Sequence, residues 1–169
     1  MKQLKSISAI AAVFFVLCSF KGEIKPFKNT EWIPKDFDTR NGVLLVQEAA
    51  FNVPPKQNQK ITGDMKEIMQ QNFPFKYEFA PTSEISSDGK YADKDKYRWA
   101  LVTTSIKFTS QHFDGTLDMV VNAVDFHIYD RKNDKKYAPT KHSNSFVKPV
   151  MAPTVVTLVK YLKELPASK

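Results

Sequence analysis

Two segments far apart in the chain each carry a single apolar stripe at helical spacing, and a helix striped in this way must lay that face on something else. Ile61, Met65, Ile68 and Met69 stand at i, i+4, i+7 and i+8. Near the C-terminus Val155, Val156, Leu158, Val159, Leu162 and Leu165 make a broader stripe. The first stripe predicts a helix over 59–71. Asn72 and Pro74 stop it, because proline disfavours helix in the residue before it. The second predicts a helix from Pro153, whose missing N–H suits a first turn, to Pro166. Neither helix can bury its stripe alone, so the chain must also supply a sheet.

The strand signals are present. Val43 to Val46 is an uninterrupted apolar run, as in a strand covered on both faces. Phe75 to Phe79 alternates with period two. Trp99 to Phe108 is rich in β-formers, and Met119 to Tyr129 is the longest strand. Within it Val120, Asn122, Val124, Phe126 and Ile128 fall on one face, and Ala123, Asp125, His127 and Tyr129 on the other. Gln111 to Gly115 reads as the turn between the long strands. Asp130 to Lys135 turns the chain again, and either Lys136 to Ala138 or Ser143 to Val147 returns it. Pro81 to Lys96 is polar and reads as a mobile insertion. The expected fold class is α/β (α+β): a mixed sheet of about five strands with two main helices, in the order β-α-β-β-β-(β)-α.

The N-terminus points to export. Lys2 and Lys5 precede an uncharged apolar segment from Ile7 to Leu17, and the first acid is Glu23. That is the layout of a signal peptide. The apolar stretch is shorter than the roughly 20 residues a membrane-spanning helix needs. Two readings of its end stand. Val16 and Cys18 could serve as the −3 and −1 residues of a cleavage site, with Ser19 first in the mature chain. Alternatively Cys18, the single cysteine, carries a lipid. The organisation is then 1–20 signal, 21–42 an extended leader with Trp32 and Phe37 as aromatic anchors, 43–165 one globular domain, and 166–169 a tail. Loss of Lys2 and Lys5 takes the formal charge from +7 to +5. The bases are interleaved with acids, which argues against nucleic acid. Their densest cluster, Arg131, Lys132, Lys135 and Lys136, reads as a solvated hairpin tip.

With this element order the chain resembles a family of small bacterial envelope proteins. It includes the curli secretion lipoprotein, the outer-membrane lipoprotein activators of peptidoglycan synthases, and the N-terminal domain of the Tol-system propeller protein. The matching segments are Val43 to Gln47, Ile61 to Met69, Phe75 to Phe79, Trp99 to Phe108, the Phe126-His-Ile-Tyr-Asp130 strand end, and Val155 to Leu165. The chain departs from the pattern in three places. Leu17 stands where a lipoprotein signal has a small residue, the Pro81 to Lys96 insertion lacks a clear helix, and the turn after Asp130 lacks glycine. The resemblance implies binding and assembly rather than catalysis, and no functional residue carries over.

Motifs for chemistry are sparse. Five glycines form no phosphate loop, and no Gly-x-Ser-x-Gly elbow exists. His112, His127 and His142 lack metal-ligand spacing, so no metal or cofactor is expected. Asp125, His127 and Tyr129 form a polar cluster in which an Asp-x-His pair could orient an imidazole. Tyr91, Tyr97 and Trp99 flank the insertion and are the candidate partner surface. The expectation is an exported, non-enzymatic envelope protein, in the periplasm or at the outer membrane. It would bind another envelope protein or self-assemble, and would touch the membrane only through a lipid at Cys18. The alternatives are a periplasmic carrier of a small molecule or glycan, and an enzyme.

Overall fold

The strands and helices of the chain assemble into a five-stranded mixed sheet with both long helices on one face. The structure, a computed structural model, describes residues 24–87, 89–110, 119–138 and 147–166, without the side chains of 105–110 and 119–123. The export segment with Cys18, the 111–115 turn, His112, His142 and residues 143–146 of the alternative return strand lie outside them. The elements are β1 (Leu44–Gln47), α1 (Pro55–Asn72), β2 (Tyr77–Ala80), α2 (Thr82–Ile85), β3 (Trp99–Ser110), β4 (Met119–Asp130), β5 (Lys135–Tyr137) and α3 (Val147–Glu164). The sheet order is β2-β1-β3-β4-β5. β1 runs parallel to β2 and β3, and the other neighbours are antiparallel.

Strand alternation sorts the side chains into two cores. Leu44, Val46, Trp99, Leu101, Val124, Phe126 and Ile128 meet Met65, Ile68 and Met69 of α1 and Met151, Val155, Leu158 and Leu162 of α3. Val43, Leu45, Ala100 and Val102 point the other way and meet Ile85, Tyr91 and Tyr97. The apolar run of β1 is therefore buried on both faces, as its composition demands.

The described part of the leader runs along α3. Trp32 and Phe37 are both buried in the larger core. Phe37 meets Trp99 edge-on at 5.3 Å between ring centroids, and Tyr161 at 6.3 Å. The backbone N–H of Phe27 donates to Thr157 Oγ1, and the Tyr161 hydroxyl to the Pro34 carbonyl. Arg40 donates to the carbonyls of Leu165 and Pro166, satisfying acceptors left open at the end of α3.

Four expectations change. α1 begins at Pro55, upstream of the expected start at Gln59, because proline at a first turn needs no helical donor. α3 begins at Val147, so Pro153 lies inside it rather than in its first turn. Burial of Val147 and Met151 draws the helix upstream and outweighs the hydrogen bond Pro153 cannot make. The Pro81–Lys96 insertion contains the short helix α2 and packs against the second face of the sheet, because Ile85 and Tyr91 need that cover. Arg131 is buried, not part of a solvated tip. The tip itself turns at Asp134, whose φ of 49° occupies the left-handed position a glycine would otherwise take. Among the described residues no helix is long and apolar enough to cross a membrane.

Candidate functional site

Two features stand out at opposite ends of the β3–β4 pair. The first is a cleft where β1 and β3 begin and β4 ends. It encloses about 320 Å³ and is lined by residues including Asp36, Asp38, Thr39, Asn41, Asp95, Lys96, Arg98 and Lys132. Chain direction puts these groups together: the leader enters β1 here, the insertion enters β3, and β4 leaves for its hairpin.

Arg98 and Asp130 anchor the floor. The guanidinium donates to Asp130 at 3.1 and 2.7 Å and also reaches Asp36. Asp130 accepts further bonds from the Lys132 N–H at 3.0 Å and the Asn133 amide at 2.8 Å. Burial alone would raise the Asp130 pKa, but the bonds from Arg98 and Asn133 outweigh it and hold it below the ordinary value. Arg98 is raised by Asp130 first, against desolvation. Asp38 is lowered by its bond to Arg40, and Asp95 by Lys132 at 2.7 Å. Lys96 is raised, mainly by Tyr97. Each of these shifts moves away from neutrality, whereas a general acid or base works best near the operating pH. The cleft presents fixed charges, with Arg98 and Lys132 in opposed pairs and Lys96 over the Tyr97 ring.

Its walls are braced by backbone. The Val43 N–H donates to the Lys96 carbonyl at 2.9 Å, and a Cβ on Gly42 would stand 2.9 Å from the same oxygen. Only glycine lets these two segments approach so closely. Thr39 lines the cleft and is buried; its Oγ1 has no hydrogen-bond partner among the described residues.

The second feature is the far end of the β3–β4 ladder. Parallel pairing of β1 with β3 is recorded at Ala100 and Leu101. The Gln47 side chain then accepts the Thr103 N–H at 3.0 Å and donates to Thr82 Oγ1, closing the pairing. β5 pairs only with Ile128 to Asp130. β3 and β4 nevertheless continue together for seven more pairs, from Thr104↔Asp125 to Ser110↔Met119. Among the described residues no third strand joins this ribbon on either edge.

The residues singled out from sequence fall elsewhere. Tyr91, Tyr97 and Trp99 are 1%, 9% and 3% exposed, so they are not a surface. Tyr91 and Tyr97 pack edge-on at 5.0 Å in the second core, and Trp99 lies in the first. They flank the insertion because they hold it down. Asp125, His127 and Tyr129 do occupy alternate positions of β4, with Asp125 buried and the other two half-buried. The Tyr129 hydroxyl donates to Asp134 at 2.8 Å, which turns it toward the hairpin tip. Arg131, read as a surface charge, binds the carbonyls of Ile85, Tyr97 and Ser87 and pins the insertion to the sheet. Sequence reasoning missed Thr39, Arg98 and Asp130 because their partners are remote. Arg98 lies 62 residues from Asp36 and 32 from Asp130. Among the described residues no cluster of three His, Cys, Asp or Glu is placed to hold a metal.

No protein-family model matches the chain, and no curated protein matches its sequence. Solved structures do match in part. One is a dodecamer of a PelC point variant from Paraburkholderia phytofirmans, with 15% identity over 70% of this chain and 88% of that one, and a TM-score of 0.41. A second PelC dodecamer from the same organism has 12% identity over 75% and 86%, with a TM-score of 0.35. A neuraminyllactose-binding hemagglutinin homolog from Helicobacter pylori has 8% identity over 85% and 93%, with a TM-score of 0.35.

Proposed function

We propose that the chain is an exported, non-enzymatic protein of the bacterial cell envelope that works by strand-to-strand docking, onto an envelope partner or a second copy. The observation that carries this is the β3–β4 ribbon, which outruns its neighbours in the sheet. A two-stranded ribbon is marginally stable alone in water. Among the described residues no strand covers its edges, and open edges are templates for another strand. Lys107 is the one charged residue in β3, so the edge has little of the charge that usually blocks such pairing. Export rests on Lys2, Lys5 and the apolar Ile7 to Leu17 segment.

The test follows from backbone geometry. Amides alternate edges along a strand, and the Thr103 N–H points toward β1. Ser105, Lys107 and Thr109 therefore direct theirs to the open edge. Lys107→Pro removes an edge donor and leaves the β3–β4 ladder intact. Cross-linking in intact envelopes and sedimentation of the mature chain should show a complex for wild type and Lys107→Ala, and its loss in Lys107→Pro. A wild type that stays monomeric and uncross-linked, or a proline variant that assembles normally, would refute the reading.

A further inference from the structure

Helix α3 carries two apolar stripes, and the sheet takes only one. Met151, Val155, Leu158 and Leu162 are buried in the larger core. Pro149, Ala152, Pro153 and Val156 stand at i, i+3, i+4 and i+7, on the opposite side of the helix. Pro149 is exposed and the other three are half-buried. We infer that this outward stripe, with the start of the leader beside it, is a membrane-surface contact that lays α3 along anionic lipid.

Three observations carry this. The first is the contrast between the helices. A helix that covers a sheet ordinarily turns polar residues to water. α1 does so, with Gln59, Lys60, Lys66, Glu67 and Gln70 all exposed. α3 has no charged residue from Pro149 to Val159, and Thr154 and Thr157 within that stretch are buried. Val156 packs in neither core. Contiguous apolar groups left toward water mark an interaction surface. Among the described residues no helix is long and apolar enough to cross a membrane, which leaves α3 the interfacial orientation.

The second is charge. The outward face continues into Lys160 and Lys163, and the leader adds Lys25 and Lys28, all four exposed. Among the described residues Lys25, Lys28 and Lys163 make no ion pair. Lys160 meets Glu164 at 3.9 Å with both side chains exposed, a pair that gives way readily. An apolar band edged by lysines is suited to anionic lipid, because the stems lie along the band while the ammonium groups reach headgroup phosphates.

The third is the path of the chain. The Phe27 N–H donates to Thr157 Oγ1, so the leader passes along α3. Ile24, three residues upstream, is 36% exposed and is the exposed large apolar side chain among the described residues. Cys18 precedes it by six residues, about 20 Å of extended chain. A lipid on Cys18 would hold this side of the protein close to a bilayer, and the stripe would add a contact of its own.

The experiment is vesicle flotation of the mature chain made without an acyl group, so that only the protein surface is read. The probes are phosphatidylethanolamine–phosphatidylglycerol vesicles at low salt, with pure phosphatidylcholine vesicles as the uncharged control. Wild type should float with the anionic vesicles and not with phosphatidylcholine. Pro149→Asp and Val156→Asp should each need about tenfold more lipid for half-maximal flotation. Pro149 is exposed, so its variant should melt as wild type does. Three results would overturn the inference. Wild type fails to float with anionic lipid; both aspartate variants float as wild type does; or wild type self-associates without lipid through a contact that Pro149→Asp abolishes, which would give the face to a second copy. Lys107→Pro should float as wild type does, so a failure of ribbon docking and a failure of lipid contact are read separately.

Discussion

Asp130 and Arg131 are neighbours in sequence and do opposite jobs. Asp130 gathers Arg98 and the hairpin turn at the cleft floor, while Arg131 reaches the other core and holds three carbonyls of the insertion. Removing a partner from a buried ion pair leaves the other charge uncompensated. Asp130→Ala should therefore cost about 2–4 kcal/mol in denaturant unfolding, with an unchanged m-value. The pH dependence has a definite sign. The folded pKa of Asp130 lies below its ordinary value. Its contribution is complete above about pH 4 and disappears as the pH falls through the lower folded value. The stability gap between wild type and Asp130→Asn should hold constant above that pH and close below it. A gap that widens on acidification would contradict this account. Neither residue's role was legible from composition, because a charge beside a turn reads as solvated until the segment that covers it is known.

At the scale of elements, periodicity located the long helices and strands, and burial set their ends. The stripe of α1 was visible, and its extra turn at Pro55 was not, since that turn rests on proline at the helix start and on the Asn58 bonds to the Phe51 backbone rather than on apolar residues. α3 shows the stronger conflict. Pro153 breaks the hydrogen-bond series, yet the helix runs through it because Val147 and Met151 on one side and Val155 and Leu158 on the other share one core. Thr154 and Thr157 also donate to the carbonyls four residues back, at 2.7 and 2.6 Å. Pro153→Ala restores a backbone donor but frees the unfolded chain. The net effect should be a gain of about 1–2 kcal/mol, seen as a raised melting temperature. A fall would mean that proline sets the path of the helix across the sheet.

For the molecule as a whole, the sheet is a partition between two cores of unequal size. The larger takes both helices and the leader; the smaller is closed by the insertion. Leu158 is fully buried in the larger core. Leu158→Ala should cost about 2–5 kcal/mol and leave a single unfolding transition, because both cores share the strands β1 and β3. Two transitions would show that the cores fold separately.

What the amino-acid sequence determined by itself was the kind and order of the elements. Stripes at 3.6 residues and alternation at two are local properties, and the five-stranded mixed sheet with two long helices was legible from them. So was the division of β4 between an apolar face and one carrying Asp125, His127 and Tyr129. Tertiary structure decided what covers each face. Tyr91, Tyr97 and Trp99 had the composition of a surface and became core, and the polar insertion became a lid over Leu45 and Ala100. The cleft was also decided there, since Thr39, Arg98 and Asp130 meet only after the leader, the insertion and the β4 turn reach one end of the sheet. A local pattern records which side of an element is apolar. Which distant segment arrives to bury it is settled by the packing of the whole chain.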